Sequence, residues 1–101
     1  MAKKLDAMHP GEVLREEFLI PLELSAGRLA KACGIPRTRI ERIAAETTGI
    51  TADTALRLAK ALNTSAQFWL NLQTAYDVQT ASEQIAGDLE NIERVNPPKA
   101  A

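Results

Sequence analysis

The stretch Ser25-Ala-Gly-Arg-Leu-Ala-Lys-Ala-Cys-Gly-Ile-Pro-Arg-Thr-Arg-Ile-Glu-Arg-Ile43 limits the possible folds more than any other part of the chain. It admits two short helices with a tight turn between them. Ser25 is a good N-cap, because its hydroxyl accepts from an unsatisfied N–H of the first turn. Leu29, Ala30 and Cys33 fall on one helical face. Gly34 ends that helix, since glycine reaches a left-handed cap without steric cost. Ile35 follows as an apolar plug, and Pro36 suits the first turn of the next helix. Ile40 and Ile43 bring an apolar edge back to the first helix, and Ala30 is small where the two must cross. This spacing predicts a helix-turn-helix that lays its second helix in a DNA major groove. Arg37, Thr38, Arg39, Glu41 and Arg42 are the side chains left over to face that groove.

Charge supports this reading through its distribution. The chain as a whole carries −1, which by itself argues against nucleic acid. Residues 25–45, however, hold five Lys/Arg (Arg28, Lys31, Arg37, Arg39, Arg42) against the single acid Glu41. The segments on either side are net acidic. Local potential governs association more than the total does. At 101 residues, with 46% hydrophobic and 4% aromatic residues, the chain suits one modest core rich in Leu, Ile and Ala. That composition favours helices over strands. There is no apolar run of the roughly 18 residues needed to span a bilayer, so no membrane association is expected. Met1-Ala-Lys-Lys-Leu-Asp6 lacks the apolar stretch of a signal peptide. One cysteine forms no internal disulfide, and a reducing, cytoplasmic setting is the simplest reading.

Taken in order, residues 1–8 read as a flexible N-terminus. Pro10 opens a first helix with His9 just outside it. Val13, Leu14, Phe18 and Leu19 form its apolar stripe, and Pro21 ends it. After the reading helix, Gly49 marks a turn and Thr51 caps a fourth helix whose buried face is Ala55, Leu56, Leu58, Ala59 and Leu62. Arg57 and Lys60 stay outside, and Asn63 is a left-handed stop. Thr64 or Ser65 caps a fifth helix, with Thr64 and Gln67 fitting a capping box. Its Phe68, Trp69 and Tyr76 serve as a core or dimer anchor. A sixth helix is expected over 81–95, where Ile85, Leu89 and Ile92 recur, and 96–101 read as a disordered tail. The expected class is all-α: a five-helix repressor-like helix-turn-helix domain over residues 9–80 with an additional C-terminal helix.

Other chemistry finds no foothold. There is no Gly-rich phosphate loop, no Ser-centred elbow and no paired histidines, so no catalytic residue, metal site, cofactor or small-molecule ligand is expected. His9 has no partner at a telling spacing and reads as structural, and Cys33 as a small buried hydrophobe.

Four segments together resemble the HigA family of antitoxins, helix-turn-helix proteins related to phage repressor and Cro domains. They are His9-Pro-Gly-Glu12 with Leu14-Arg-Glu-Glu-Phe18; Arg28-Leu-Ala-Lys31 through Gly34; Pro36-Arg-Thr-Arg-Ile40; and Gly49 to Ala59 running on to Phe68-Trp-Leu-Asn-Leu-Gln73. The resemblance implies a bacterial type II antitoxin. Such a protein neutralises a HigB-like, RelE-type messenger-RNA endonuclease and represses its own operon as a homodimer on a palindromic operator. A stand-alone helix-turn-helix regulator, or an interaction module that has lost DNA binding, are the alternatives.

The DNA part follows from residue chemistry as well. Arg37 and Thr38 point at base edges, with Arg42 one turn on, and arginine favours guanine through a bidentate pair. Arg39 reaches base or phosphate. Ser25 and Arg28 touch backbone phosphate, and Thr47 and Thr48 complete the expected contact set. Glu41 can accept from cytosine but repels the backbone. Many relatives carry a basic Gly-Lys-Arg-like turn after the reading helix, and here that turn is Glu46-Thr-Thr-Gly49. Operator affinity is therefore expected to be modest and steeply salt-dependent. Gel-shift titration on the chain's own upstream DNA checks this, and an absence of any shift at low salt refutes it.

Overall fold

Helix ends shape this architecture more than helix interiors do. The structure, a computed structural model, describes residues 6–95. α1 covers Pro10–Val13 and passes directly into a π-helical turn, Leu14–Leu19. α2 covers Ala26–Cys33, α3 Arg37–Ala44, α4 Ala52–Leu62, α5 Ala66–Gln84 and α6 Ala86–Glu90. Every regular element among the described residues is helical, as the all-α reading requires.

Among the described residues, four adopt the left-handed conformation: Glu23 (φ 49°), Gly34 (71°), Glu46 (64°) and Asn63 (57°). After each, the next N–H reaches back five residues, Leu24 to Leu19, Ile35 to Ala30, Thr47 to Arg42 and Thr64 to Ala59, at 2.8–3.0 Å. This closure satisfies carbonyls that a helix end leaves open. Gly34 and Asn63 are the residue types that favour such a stop, whereas Glu23 and Glu46 are not.

Several local expectations change. The first helical run does not end at Pro21. The Leu22 N–H still bonds the Phe18 carbonyl at 3.0 Å, and the stop is Glu23. A proline ring crowds the carbonyl four residues back. The π turn just before it, with the Ile20 N–H on the Arg15 carbonyl, widens the spiral where the ring must fit. Pro36 sits at the N-cap of α3 in extended backbone, outside the first turn. No Thr64–Gln67 capping box forms. Ser65 caps α5, while the Thr64 hydroxyl accepts from the Trp69 indole N–H at 2.8 Å. That indole is fully buried and needs a partner. Gln67 turns to Asn71 instead.

The core joins Val13, Leu14, Leu29, Ala30, Cys33, Ile40, Ile43, Ile50, Ala55, Leu58 and Trp69. Leu29, Ile40, Ile43 and Leu58 are essentially removed from water, worth roughly 1.5–3 kcal/mol each. Trp69 is therefore core and not a dimer anchor. Phe18 and Phe68 pack on it with ring centroids 5.3 and 4.9 Å away. Leu56, expected inside, is 63% exposed, because α4 turns Thr54, Ala55 and Leu58 inward.

The N-terminal segment is fastened down. His9 is buried, caps α1 by accepting the Gly11 N–H at 2.8 Å, and meets Tyr76 of α5 edge-on at 4.9 Å. The Ala7 N–H donates to the Gln79 side chain, whose amide donates to Asp6 at 3.3 Å. Residues 1–5 of the expected flexible segment, and the expected tail 96–101, lie outside the described residues. The helix expected over 81–95 is not there. Nothing between Val78 and Gln84 breaks the helical pattern, so α5 absorbs 81–84, and the proposed boundary at residue 80 falls inside it. α6 is a five-residue remnant around Gly87, which propagates a helix poorly.

α1 approaches α3 so closely at Gly11 that a Cβ there would lie 1.7 Å from the Ile43 carbonyl oxygen. Backbone cannot yield as a side-chain tip does. Gly11→Ala is expected to cost about 1–3 kcal/mol or more. Gly87→Ala, whose methyl meets nothing within 4 Å, is expected to cost nothing. Urea denaturation of the two variants side by side checks this.

Candidate nucleic-acid interface

The side chains that reading of the chain placed on the second helix lie on its outer face. Arg37, Thr38 and Arg39 are the first residues of α3 and are exposed, as are Glu41 and Arg42 one turn later. The inward positions Ile40 and Ile43 hold the helix against the core. Thr38, Arg39, Arg42 and Thr48, with Pro36, line one cleft. Thr48 therefore joins the α3 face although it belongs to the following turn. Thr47 is spent differently: its hydroxyl donates to the Arg42 carbonyl at 3.1 Å and helps close the end of α3.

The first turn of α2 stands beside the start of α3. A Cβ at Gly27 would lie 3.3 Å from Arg37 Cδ, so the missing side chain leaves room for the arginine stem. Ser25 caps α2 by accepting the Arg28 N–H at 3.1 Å, which leaves Arg28 exposed on the same side. Arg28 also borders an apolar groove formed by Phe18, Leu22, Leu24 and Leu62, which shares no lining residue with the Thr38–Arg42 cleft.

The arginines divide into two sets. Arg37 pairs with Glu41 at 3.4 Å, one helical turn away. Arg39 pairs with Asp53 of α4 at 3.5 Å. Arg28, Lys31 and Arg42 form no ion pair among the described residues, and their charge is open to a polyanion. Glu41 thus sits where it holds Arg37 along the helix, and its own charge is offset there.

Two arginines that residue-by-residue reading set aside fasten this surface. Arg57 donates to the Cys33 carbonyl at 2.8 Å and the Gly34 carbonyl at 3.5 Å, while its Nε holds Asp53 at 2.7 Å. It therefore links the turn between α2 and α3 to Asp53, and through Asp53 to Arg39. The i, i+4 spacing of Asp53 and Arg57 was the only trace of this in the chain. Arg15, from the first helical run, donates to the Ala44 carbonyl at the end of α3 and to the Glu46 carboxylate at 3.2 Å. Its bond to Glu16 does most to raise the guanidinium above its ordinary pKa, partial burial opposes this, and Glu46 adds to the rise. Nothing in the local sequence pointed to that pairing across 31 residues.

Cys33 is buried on the inner face of α2. Burial pushes its thiol pKa up, against a smaller opposing effect of Arg57, which suits an inert packing role. Among the described residues no group of His, Cys, Asp and Glu is arranged to hold a metal ion. No described helix is long and apolar enough to cross a membrane.

Comparison with known proteins places this geometry. The helix-turn-helix family HTH_3 matches residues 14–69. Virulence-associated protein I of Dichelobacter nodosus is 54% identical over 80 residues, covering 79% of this chain and 74% of that protein. The solved structure of Pseudomonas aeruginosa antitoxin HigA with the higBA promoter is similar at a TM-score of 0.85 and 41% identity, over 88% of this chain and 98% of that one. Antitoxin GraA in complex with its operator is similar at a TM-score of 0.85 and 41% identity, over 94% and 97%.

The Arg57 bonds to the interhelical turn are charge-assisted but partly solvated. Arg57→Ala is expected to lower stability by about 1–2 kcal/mol. Asp53→Asn, which keeps the shape and removes the charge, is expected to cost less. Thermal unfolding at matched salt checks the order.

Proposed function

The chain belongs to the helix-turn-helix family, among the HigA antitoxins, and from that premise we propose that it binds its own operator and neutralises a HigB/RelE-like mRNA endonuclease. This is a family of DNA-binding regulators and not of enzymes. The observation that carries the DNA reading is the exposed α3 face, where Arg37, Thr38 and Arg42 stand on a helix held rigid from behind by Ile40 and Ile43. Arg37, Thr38 and Arg42 read base edges. Arg39, held back by Asp53, reaches phosphate. Ser25, Arg28 and Thr48 contact the backbone on either side, and Thr47 serves through the turn it closes. Glu41 orients Arg37 and accepts from cytosine where the groove presents one.

A homodimer places two such faces on half-sites about one DNA turn, roughly 34 Å, apart. The distal part of α5 with α6 is the face we assign to that contact. Val78, Ile85, Leu89 and Ile92 are exposed there, and the described residues extend over 54 Å along their longest axis. The helix-turn-helix domain runs from residue 9 to the end of α5 at Gln84, and the protein works in the cytoplasm.

Arg37→Ala is expected to cost about 1–3 kcal/mol in operator binding and to relax preference at one base pair. Arg42→Ala is expected to cost about 1–3 kcal/mol in operator binding and to relax preference at a second base pair. Co-expression and pull-down with the product of the adjacent gene, a basic chain of one small domain, tests the antitoxin role. A chain that binds its operator yet captures no such neighbour is a stand-alone regulator.

A further inference from the structure

Glu46 breaks two local rules at once. It takes a left-handed conformation (φ 64°) in which a non-glycine residue is strained. It also sets a carboxylate at the C-terminal end of α3, where the helix dipole disfavours negative charge. It stands two residues from Thr48, which shares a cleft with Thr38, Arg39 and Arg42. That distance is well inside the roughly 10 Å over which exposed charges still act at moderate salt. An uncompensated acid here opposes any polyanion brought to the α3 face.

Arg15 answers each problem. It lies on the first helical run, remote in sequence; its guanidinium donates to the Ala44 carbonyl, both terminal nitrogens donate to the same Glu46 oxygen, Oε2, at 3.2 Å, and Nε donates to Glu16 at 2.9 Å. The Ala44 bond meets the negative end of α3. The Glu46 bond offsets the acid, although Arg15 shares its charge with Glu16, and holds the strained turn in one conformation. The Glu46 N–H closes onto the Ile43 carbonyl at 2.9 Å, and the Thr47 N–H onto Arg42 at 3.0 Å, so the turn that carries Thr48 is fixed as a unit.

We propose that Arg15 is a positioning residue for operator recognition: it offsets the Glu46 charge and locks the turn after the reading helix, without itself touching DNA. This rests on the operator-binding reading above. The local cost of Glu46 is then balanced from the first helical run, and operator affinity depends on a residue outside α2 and α3.

The test is a set of variants measured by fluorescence anisotropy on the operator across a salt series, each checked for folding by circular dichroism. Arg15→Gln is expected to weaken binding about fivefold at low salt, the loss shrinking as salt rises. Arg15→Gln with Glu46→Gln is expected to return to within about twofold of the wild type, since no acid then remains at the end of α3, while Glu16 loses its partner one helical run away. Arg15→Lys, which keeps the charge, is expected to stay close to wild type. Glu46→Gln alone, which leaves Arg15 paired to Glu16 and removes the acid beside Thr48, is expected to bind about as well or more tightly. Undiminished binding by Arg15→Gln overturns the proposal, as does a double variant as weak as Arg15→Gln. If Arg15→Gln fails to fold, weaker binding by Glu46→Gln overturns it instead. Wild-type protein that binds no operator at any salt removes the operator-binding reading itself, an outcome separate from these.

Discussion

The relation between α2 and α3 depends on one backbone conformation, that of Gly34 at φ 71°. An L side chain there would be strained, and a straighter exit would carry Ile40 and Ile43 away from Leu29 and Ala30. Arg57 holds the same turn from outside by taking the Cys33 and Gly34 carbonyls. The small side chain of Ala30, almost fully buried, lets the two helices close on each other. Once that angle is set, the outer face of α3 has nowhere to point but into solvent.

Charge in this molecule is sorted by partner more than by position. Four arginines are tied to carboxylates: Arg15 to Glu16 and Glu46, Arg37 to Glu41, and Arg39 and Arg57 to Asp53. These exposed pairs are each worth little in stability, at about 0–1 kcal/mol. Their effect is geometric. They fix the turns at both ends of the reading helix and cancel the acids that surround it. What remains unpaired on this side, Arg28, Lys31 and Arg42, is cationic. A chain of net charge −1 thereby keeps a positive face.

Much of this was legible from residue types. Ser25, Thr51 and Asn63 do at helix ends what their short polar side chains favour. Leu29, Cys33, Ile40, Ile43 and Leu58 are buried where a 3.6-residue period puts them. The failures share a cause. Hydrophobicity alone puts Leu56 inside, but the rotation of α4 is set by Thr54 and Ala55 packing inward. Thr64 was assigned to a cap by its spacing from Gln67, but the buried Trp69 indole had a stronger claim on its hydroxyl. Glu23 and Glu46 carry no local signature of a left-handed stop; Glu46 is held by Arg15 from the first helical run, while the turn at Glu23 is closed by backbone bonds to Ile20 and Leu19.

The sequence alone determined the helical periodicity, most of the caps, the Gly34 turn and the concentration of cations on one segment. Each of these is a matter of residues within about one or two helical turns of each other, where spacing dictates which side chains meet. Only the tertiary structure decided which cations are free and which are committed. Arg15 meets Glu46 across 31 residues, and Arg57 meets Cys33 across 24. Such pairs form because helices pack, and packing is set by the summed burial of many side chains, which no single spacing in the chain records.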